Sequence, residues 1–356
     1  MVSSISKRRF VSRFLAKLAP MFVSLALIIT VRSSWGQSVR SDLIKMQKST
    51  GLTLISERGD KIYAIDFGKH KLGEPRSLPS TGSGADGYFS EDGTRIALAV
   101  CSGWSVTTQQ GPDGIACPGD VVLAIMRADG SDLQKYPLFG NPEYMACWSH
   151  DGSEIALVMQ DRRNGRYARS ALQILNLATG KTQIISEEVG AFADPQCWSP
   201  DDKQVVYTAN NTMGTEKVAV YDVETKTSRD FSKGTRPTWS PDGNWIALMD
   251  CPPSLWGCKY YLVRPSGKER KLLFTSESST SLWWSPDSRY VAYVNGAKAF
   301  ERSPLQLIRE MVRLRVRRLE DNSVDSFADF FDGDTMNFQW VKTNQGGKPA
   351  SLPPAH

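Results

Sequence analysis

Catalysis needs nucleophiles, acid–base groups or metal ligands gathered at one place, and this chain is poor in all of them. His70, His150 and His356 are its only histidines. His150 stands in a turn and His356 is the last residue, so a histidine-based triad or metal site is not expected. No G-x-S-x-G nucleophile turn occurs in the 356 residues. Asp329, Asp332 and Asp334 could offer oxygens to a hard cation, but their spacing is not that of a calcium loop, and a solvated turn accounts for them. Asp86, Glu143 and Asp194 are the carboxylates available for acid–base work near a channel mouth, and nothing pairs them by spacing. No catalytic residue, metal or cofactor is assigned.

Residues suited to recognition are more plentiful. The segment DRRNGRYARS sets Arg162, Arg163, Arg166 and Arg169 around Tyr167. Guanidinium groups bond carboxylate or phosphate in bidentate fashion, and the phenol ring adds a stacking surface. Trp104 and Trp256 stand in two further connections, where large aromatics serve as interface anchors. Six cysteines bear on the same segments. Cys101 and Cys117 bracket one excursion and Cys251 and Cys258 bracket another, CPPSLWGC, so each pair is expected to form a disulfide pinning a loop. Cys147 and Cys197 hold equivalent places in successive repeats, where separation can exceed the roughly 7 Å span of a bridge. They are expected to be buried free thiols.

What positions these residues is a repeat. One phrase recurs as YFSEDGTRIALAV, CWSHDGSEIALVM, CWSPDDKQVVYTA, TWSPDGNWIALMD and WWSPDSRYVAYVN, with serines at 90, 149, 199, 240 and 285. An aromatic residue ends one strand, Ser-Pro-Asp-Gly turns the chain, and an apolar run forms the next strand. A second strand pair follows each phrase, giving four strands per repeat. Residues 54–66 supply a strand pair with no phrase before it. Residues 337–341 supply a phrase-like strand with nothing after it. The two ends are therefore expected to complete one blade together, making a six-bladed β-propeller closed by its N-terminal and C-terminal strands. Turns within the strand pairs are tight, whereas connections 102–120, 160–170, 251–258 and 295–311 are long. These emerge on one face, the expected binding surface. Residues 312–317, VRLRVR, alternate so that three arginines share a strand face, expected at the outer rim.

The phrase WSPDG followed by Ile-Ala-Leu or Val-Ala-Tyr resembles the repeat of the TolB-like propeller family, over residues 51–342. The resemblance implies an all-β propeller, and a family used for envelope scaffolds, prolyl-oligopeptidase relatives and some polysaccharide lyases. TolB itself carries an α/β domain ahead of its propeller, and here only residues 37–50 separate the expected leader from the first strand. The lyases of this kind rely on histidine-rich metal sites that the chain lacks.

Lys7, Arg8, Arg9, Arg13 and Lys17 precede an apolar run over 18–31, and no Asp or Glu occurs before Asp42. That is the layout of a secretory leader over 1–36, too short to span a bilayer. A periplasmic or secreted protein is expected, without stable membrane insertion once the leader is removed. With Arg32 the leader carries six basic residues, so the formal +5 of the chain falls to about −1 in the mature part. Nucleic acid is thereby set aside as a partner. The organisation expected is a leader, a short linker over 37–50, the propeller over 51–342 and a disordered tail over 343–356. The function expected is a monomeric, non-enzymatic scaffold engaging a protein or an anionic envelope component. The rival is a hydrolase or lyase working through carboxylates at the channel mouth.

Overall fold

The structure, a computed structural model, describes residues 38–58, 61–69, 71–72, 76–77, 87–101, 121–128, 130–136, 141–163, 166–187, 189, 196–209, 216–252, 257–276, 281–295, 312–330, 337–344 and 348–349. The expected leader over 1–36 lies outside them, as do Asp86, Trp104, Cys117, Asp194, Trp256, Asp332 and Asp334.

Six antiparallel sheets form the blades. Blade one begins with β1 (Leu52–Arg58), β2 (Lys61–Asp66), β3 (Lys71–Leu72) and β4 (Arg76–Ser77). Blade two holds β5 (Gly87–Phe89), β6 (Arg95–Cys101), β7 (Val121–Arg127) and β8 (Gln134–Tyr136). Blade three holds β9 (Asn141–Trp148), β10 (Glu154–Arg163), β11 (Arg166–Asn176) and β12 (Thr182–Ser186). In blade four β13 (Gln204–Thr208), β14 (Lys217–Asp222) and β15 (Thr227–Lys233) form the sheet, and its inner strand shrinks to a bridge between Trp198 and Val205. Blade five is β16 (Thr235–Trp239), β17 (Ile246–Asp250), β18 (Cys258–Val263) and β19 (Arg270–Ser276). Blade six is β20 (Leu282–Trp284), β21 (Tyr290–Asn295), β22 (Val312–Arg318) and β23 (Val324–Phe330). The ring then closes as expected: β24 (Asn337–Asn344) pairs with β1 in register from Leu52↔Lys342 to Glu57↔Asn337.

The recurring phrase has a common hydrogen-bond scheme. In each of the five copies a buried serine hydroxyl donates to the Asp two residues on and accepts the backbone N–H five residues on. For Ser240 these distances are 2.6 and 2.9 Å. One side chain thus satisfies backbone and carboxylate in a turn that would otherwise bury unpaired polar groups. The apolar runs that follow, such as Ile246, Ala247 and Leu248, are each fully buried between neighbouring blades.

Three expectations need correction. Residues 38–50, read as part of a linker, form a helix. Val39, Leu43 and Met46 recur at helical spacing and are buried with Leu54, Phe67, Trp283, Tyr290, Leu314 and Phe338, so the helix caps the seam between blades six and one. Polar ties hold it there: Arg40 to Asp325 at 3.3 Å, Asp42 to the Tyr290 hydroxyl at 3.1 Å, and Arg318 to the Ser38 hydroxyl at 2.8 Å. Gly51, at φ 67°, ends the helix by returning its N–H to the Gln47 carbonyl at 3.0 Å.

Cys147 and Cys197, read as free thiols, are joined in a disulfide. Their Cα atoms are 6.1 Å apart, because inner strands converge on the axis more closely than outer ones, which brings equivalent positions within bridging range. Cys251 and Cys258 are also bonded, as expected. The pairing of Cys101 with Cys117 falls outside the described residues.

The arginines of β22 do not all sit on an open rim. Arg315 and Arg317 are half-buried, and the Arg317 guanidinium lies 5.0 Å from the Phe274 ring of blade five. Within the tail, β24 runs on through Asn344, and β25 (Lys348–Pro349) pairs back onto it.

Candidate functional site

The six inner strands meet around an axis, and their last residues decide what the axis can hold. Motif tryptophans stitch neighbouring blades. The indole N–H of Trp148 donates to the Tyr88 carbonyl at 2.9 Å, that of Trp198 to the Cys147 carbonyl at 3.0 Å, and that of Trp284 to the Thr238 carbonyl at 3.4 Å. Each ring therefore serves as interblade packing and as a directional tie to the preceding blade.

Two glutamines that sequence reasoning missed reach farther. The Gln196 amide, from blade four, accepts the Trp284 N–H at 2.8 Å and donates to the Trp284 carbonyl at 3.3 Å, spanning to blade six. Its backbone carbonyl accepts the Trp239 N–H of blade five at 2.8 Å. The Gln339 carbonyl oxygen accepts the Phe89 N–H at 2.8 Å, tying blade one to blade two. Gln339 stands directly before its motif aromatic, where other repeats carry Tyr, Cys, Thr or Trp, and Gln196 stands one place earlier, where others carry Gly, Ala, Pro, Leu or Phe.

Between these amides and the Ser-Pro-Asp-Gly turns lies an axial cavity of about 530 Å³. Phe89, Trp148, Trp239, Trp283, Phe338 and Trp340 supply its rings. Pro241, Pro286, Glu91, Asp92 and His150 stand at its turn-side mouth, next to Thr50 at the end of the helix. Unlike the stitched tryptophans, Trp239 and Trp340 keep buried indole N–H groups with no hydrogen-bond partner among the described residues. The cavity is aromatic-walled, then.

Its ionisable groups are mostly committed. Asp92 accepts from the Ser90 hydroxyl and from Thr94; burial opposes its charge, but these bonds and Arg95 outweigh that and hold its carboxyl below the usual range. A carboxyl kept ionised in this way is a poor general acid. The His150 Nδ1 lies 3.8 Å from both Glu91 and Asp202, whose carboxylate already accepts the His150 and Asp151 backbone N–H groups at 2.8 and 3.0 Å. Among the described residues no group of three or more His, Cys, Asp or Glu converges to hold a metal.

The residues singled out for recognition fall elsewhere. Arg162, Arg163, Arg166, Tyr167 and Arg169 are not in an open loop but in the paired strands β10 and β11, with Arg163 opposite Arg166, Arg162 opposite Tyr167, and a bulge at Asp161/Arg162. These strands run for 10 and 11 residues, against 5 and 6 for the equivalent pair of blade five. Asn164-Gly165, the residues between them, is a dipeptide favoured at hairpin tips. Glu143 lies in β9 of the same blade.

No family model matches the chain. Among solved structures its fold is similar to TolB from Acinetobacter baumannii, at 15% identity and a TM-score of 0.57, over 82% of this chain and 66% of that one. It is similar to a protein of Agrobacterium tumefaciens described as a TolB candidate, at 15% identity and a TM-score of 0.53, over 81% and 98% of the two chains. It is also similar to oligogalacturonate lyase from Vibrio parahaemolyticus, at 12% identity and a TM-score of 0.51, over 78% and 79%. The chain spans just under two thirds of the Acinetobacter protein. At these identities the likeness is one of fold: a six-bladed, TolB-like propeller. The two disulfides among the described residues point to an extracytoplasmic protein.

Proposed function

We propose that this chain is an exported binding propeller rather than an enzyme, periplasmic or secreted, that engages a protein or an anionic envelope component through its long-loop face. The observation that carries the proposal is the blade-three hairpin. Its strands run on past Gln160, the last residue of β10 matched to β9, and that stretch bears Arg162, Arg163, Arg166, Tyr167 and Arg169 on paired backbone. Strand pairing removes much of the ordering cost that a slack loop would pay on binding, and clustered guanidiniums suit carboxylate or phosphate. The axial cavity adds support from the other side. Its two glutamines are spent on holding blades together and Asp92 on its own turn, which suits gripping better than proton transfer.

Crosslinking in the native envelope, followed by mass spectrometry, identifies what the wild type retains. Replacing Arg162, Arg163 and Arg166 with Ala should weaken that retention about tenfold or more and flatten its salt dependence. Trp104→Ala and Trp256→Ala should each cost on the order of 2 kcal/mol if they are anchors. The control pair Asn244→Ala with Lys203→Ala, on the turns of the opposite face, should leave retention intact. Equal loss from both faces would sink the loop-face assignment. Substrate turnover abolished by changing Asp86 or Asp194 would install the hydrolase or lyase reading in its place.

A further inference from the structure

The seam between blades five and six holds two arginines with no acid to answer them among the described residues. In β22, Leu314 and Val316 are fully buried toward blade one and the helix, so the alternate residues Arg315 and Arg317 face blade five. There the Arg317 guanidinium sits 5.0 Å from the Phe274 ring, and Phe274 stacks at 4.4 Å on Tyr293, the register partner of Arg315. The Nε–H groups of both arginines, like that of the adjacent Arg318, are buried without a hydrogen-bond partner among the described residues. Arg317 makes one bond, to the Asn322 carbonyl at 3.2 Å, and Arg315 has no ion pair among the described residues. The adjacent Arg318 is different, since it meets Asp42 at 3.6 Å and Asp321 at 3.5 Å. Asp325, on the neighbouring strand, is opposite Val316 and spent on Arg40.

Two half-buried cations two residues apart, about 7 Å along one strand face, repel each other and lose hydration without compensation. Aromatic faces recover only part of that cost. A tetrahedral dianion seated between the forks would meet both guanidiniums at once and accept from their outer N–H groups. The geometry points to a binding site for a phosphate-class oxyanion at the outer seam of blades five and six, held by Arg315 and Arg317. It is separate from the blade-three hairpin and does not depend on what that hairpin binds.

The test is thermal unfolding of the full chain in inorganic phosphate against sodium chloride of equal ionic strength. Wild type should melt several degrees higher in phosphate. Arg315→Gln with Arg317→Gln should lose that rise and melt no lower than wild type in chloride, because removing unanswered buried charge costs little. No rise in wild type, or an equal rise in the double variant, overturns the site. Amide hydrogen exchange on wild type decides the matter even if the variant fails to fold. Phosphate should slow exchange in Val312–Arg318 and Arg270–Ser276, and slowing confined to other segments overturns the site as well.

Discussion

At the scale of single residues, the serine and aspartate of the repeated phrase look like catalytic material and are structural. The hydroxyl of Ser240, fully buried, is donor to Asp242 and acceptor from Trp245 at once. Ser240→Ala leaves the Trp245 N–H without that partner, while Asp242 keeps its bonds from Asn244, and should cost about 1–3 kcal/mol in urea unfolding. The same bonds set a pH dependence. Asp151 is held below the usual carboxylate range, chiefly by the Ser153 N–H, and Asp201 chiefly by the Ser199 hydroxyl. A carboxyl depressed on folding contributes stability above its unfolded pKa and loses it as pH falls through the folded value. Unfolding midpoints should therefore hold steady from neutrality down to about pH 5 and fall below about pH 4. Ser199→Ala should lessen that acid sensitivity, and an unchanged acid limb would separate these turns from it. Gln196 was the harder residue to foresee. A lone glutamine has no signature, and its value comes from Trp284, 88 positions away, arriving opposite it.

At the scale of elements, the helix over 38–50 and the inner disulfide are the additions to a plain ring. Burial, and then the charge of Asp42, push the Tyr290 hydroxyl up to about 12. A raised pKa means that stability is whole below the ordinary value of 10.0 and drains away as pH climbs toward 12. Tyr290→Phe should reduce alkaline destabilisation in that window, at a cost near neutrality of about 1 kcal/mol for the lost bond. Denaturation from pH 9 to pH 12 monitors both. The Cys147–Cys197 bridge closes a span of 50 residues, worth on the order of 4 kcal/mol on the chain-entropy model, against about 2.5 for the 7-residue span of Cys251–Cys258. Paired Ser substitutions, compared by guanidinium unfolding, should show that order. Blade count, turn chemistry and the outer disulfide were legible because each is written locally, in the phrase around Trp239 or the bracket CPPSLWGC. The helix contacts, the inner disulfide and the cavity were not, because each depends on how residues of different blades converge. Val39, Leu43 and Met46 carry a helical period, yet nothing nearby in sequence tells which seam they cover.

At the scale of the whole molecule, closure rests on β24. Residues 337–342 pair with 52–57 and bring Phe338, Gln339 and Trp340 to the axis. Deleting 343–356 spares all of these pairs and should leave the melting temperature nearly unchanged. Deleting 335–356 removes them, bares the edge of β1 and should abolish cooperative melting. Similar melting curves for the two truncations would mean that the ring closes by other means. The same arrangement also sets a clock. Arg40 must wait for Asp325, 285 residues later, and β1 waits about as long for β24, so these early elements are among the last to find their places. At ribosomal rates of about 5–20 residues per second that wait is roughly 15–60 s. For all that time the apolar helix face lacks Trp283, Tyr290, Leu314 and Phe338, and one edge of β1 is unpaired. In a chain built this way, a delay in making residues 337–342 should be felt as aggregation at residues 38–58.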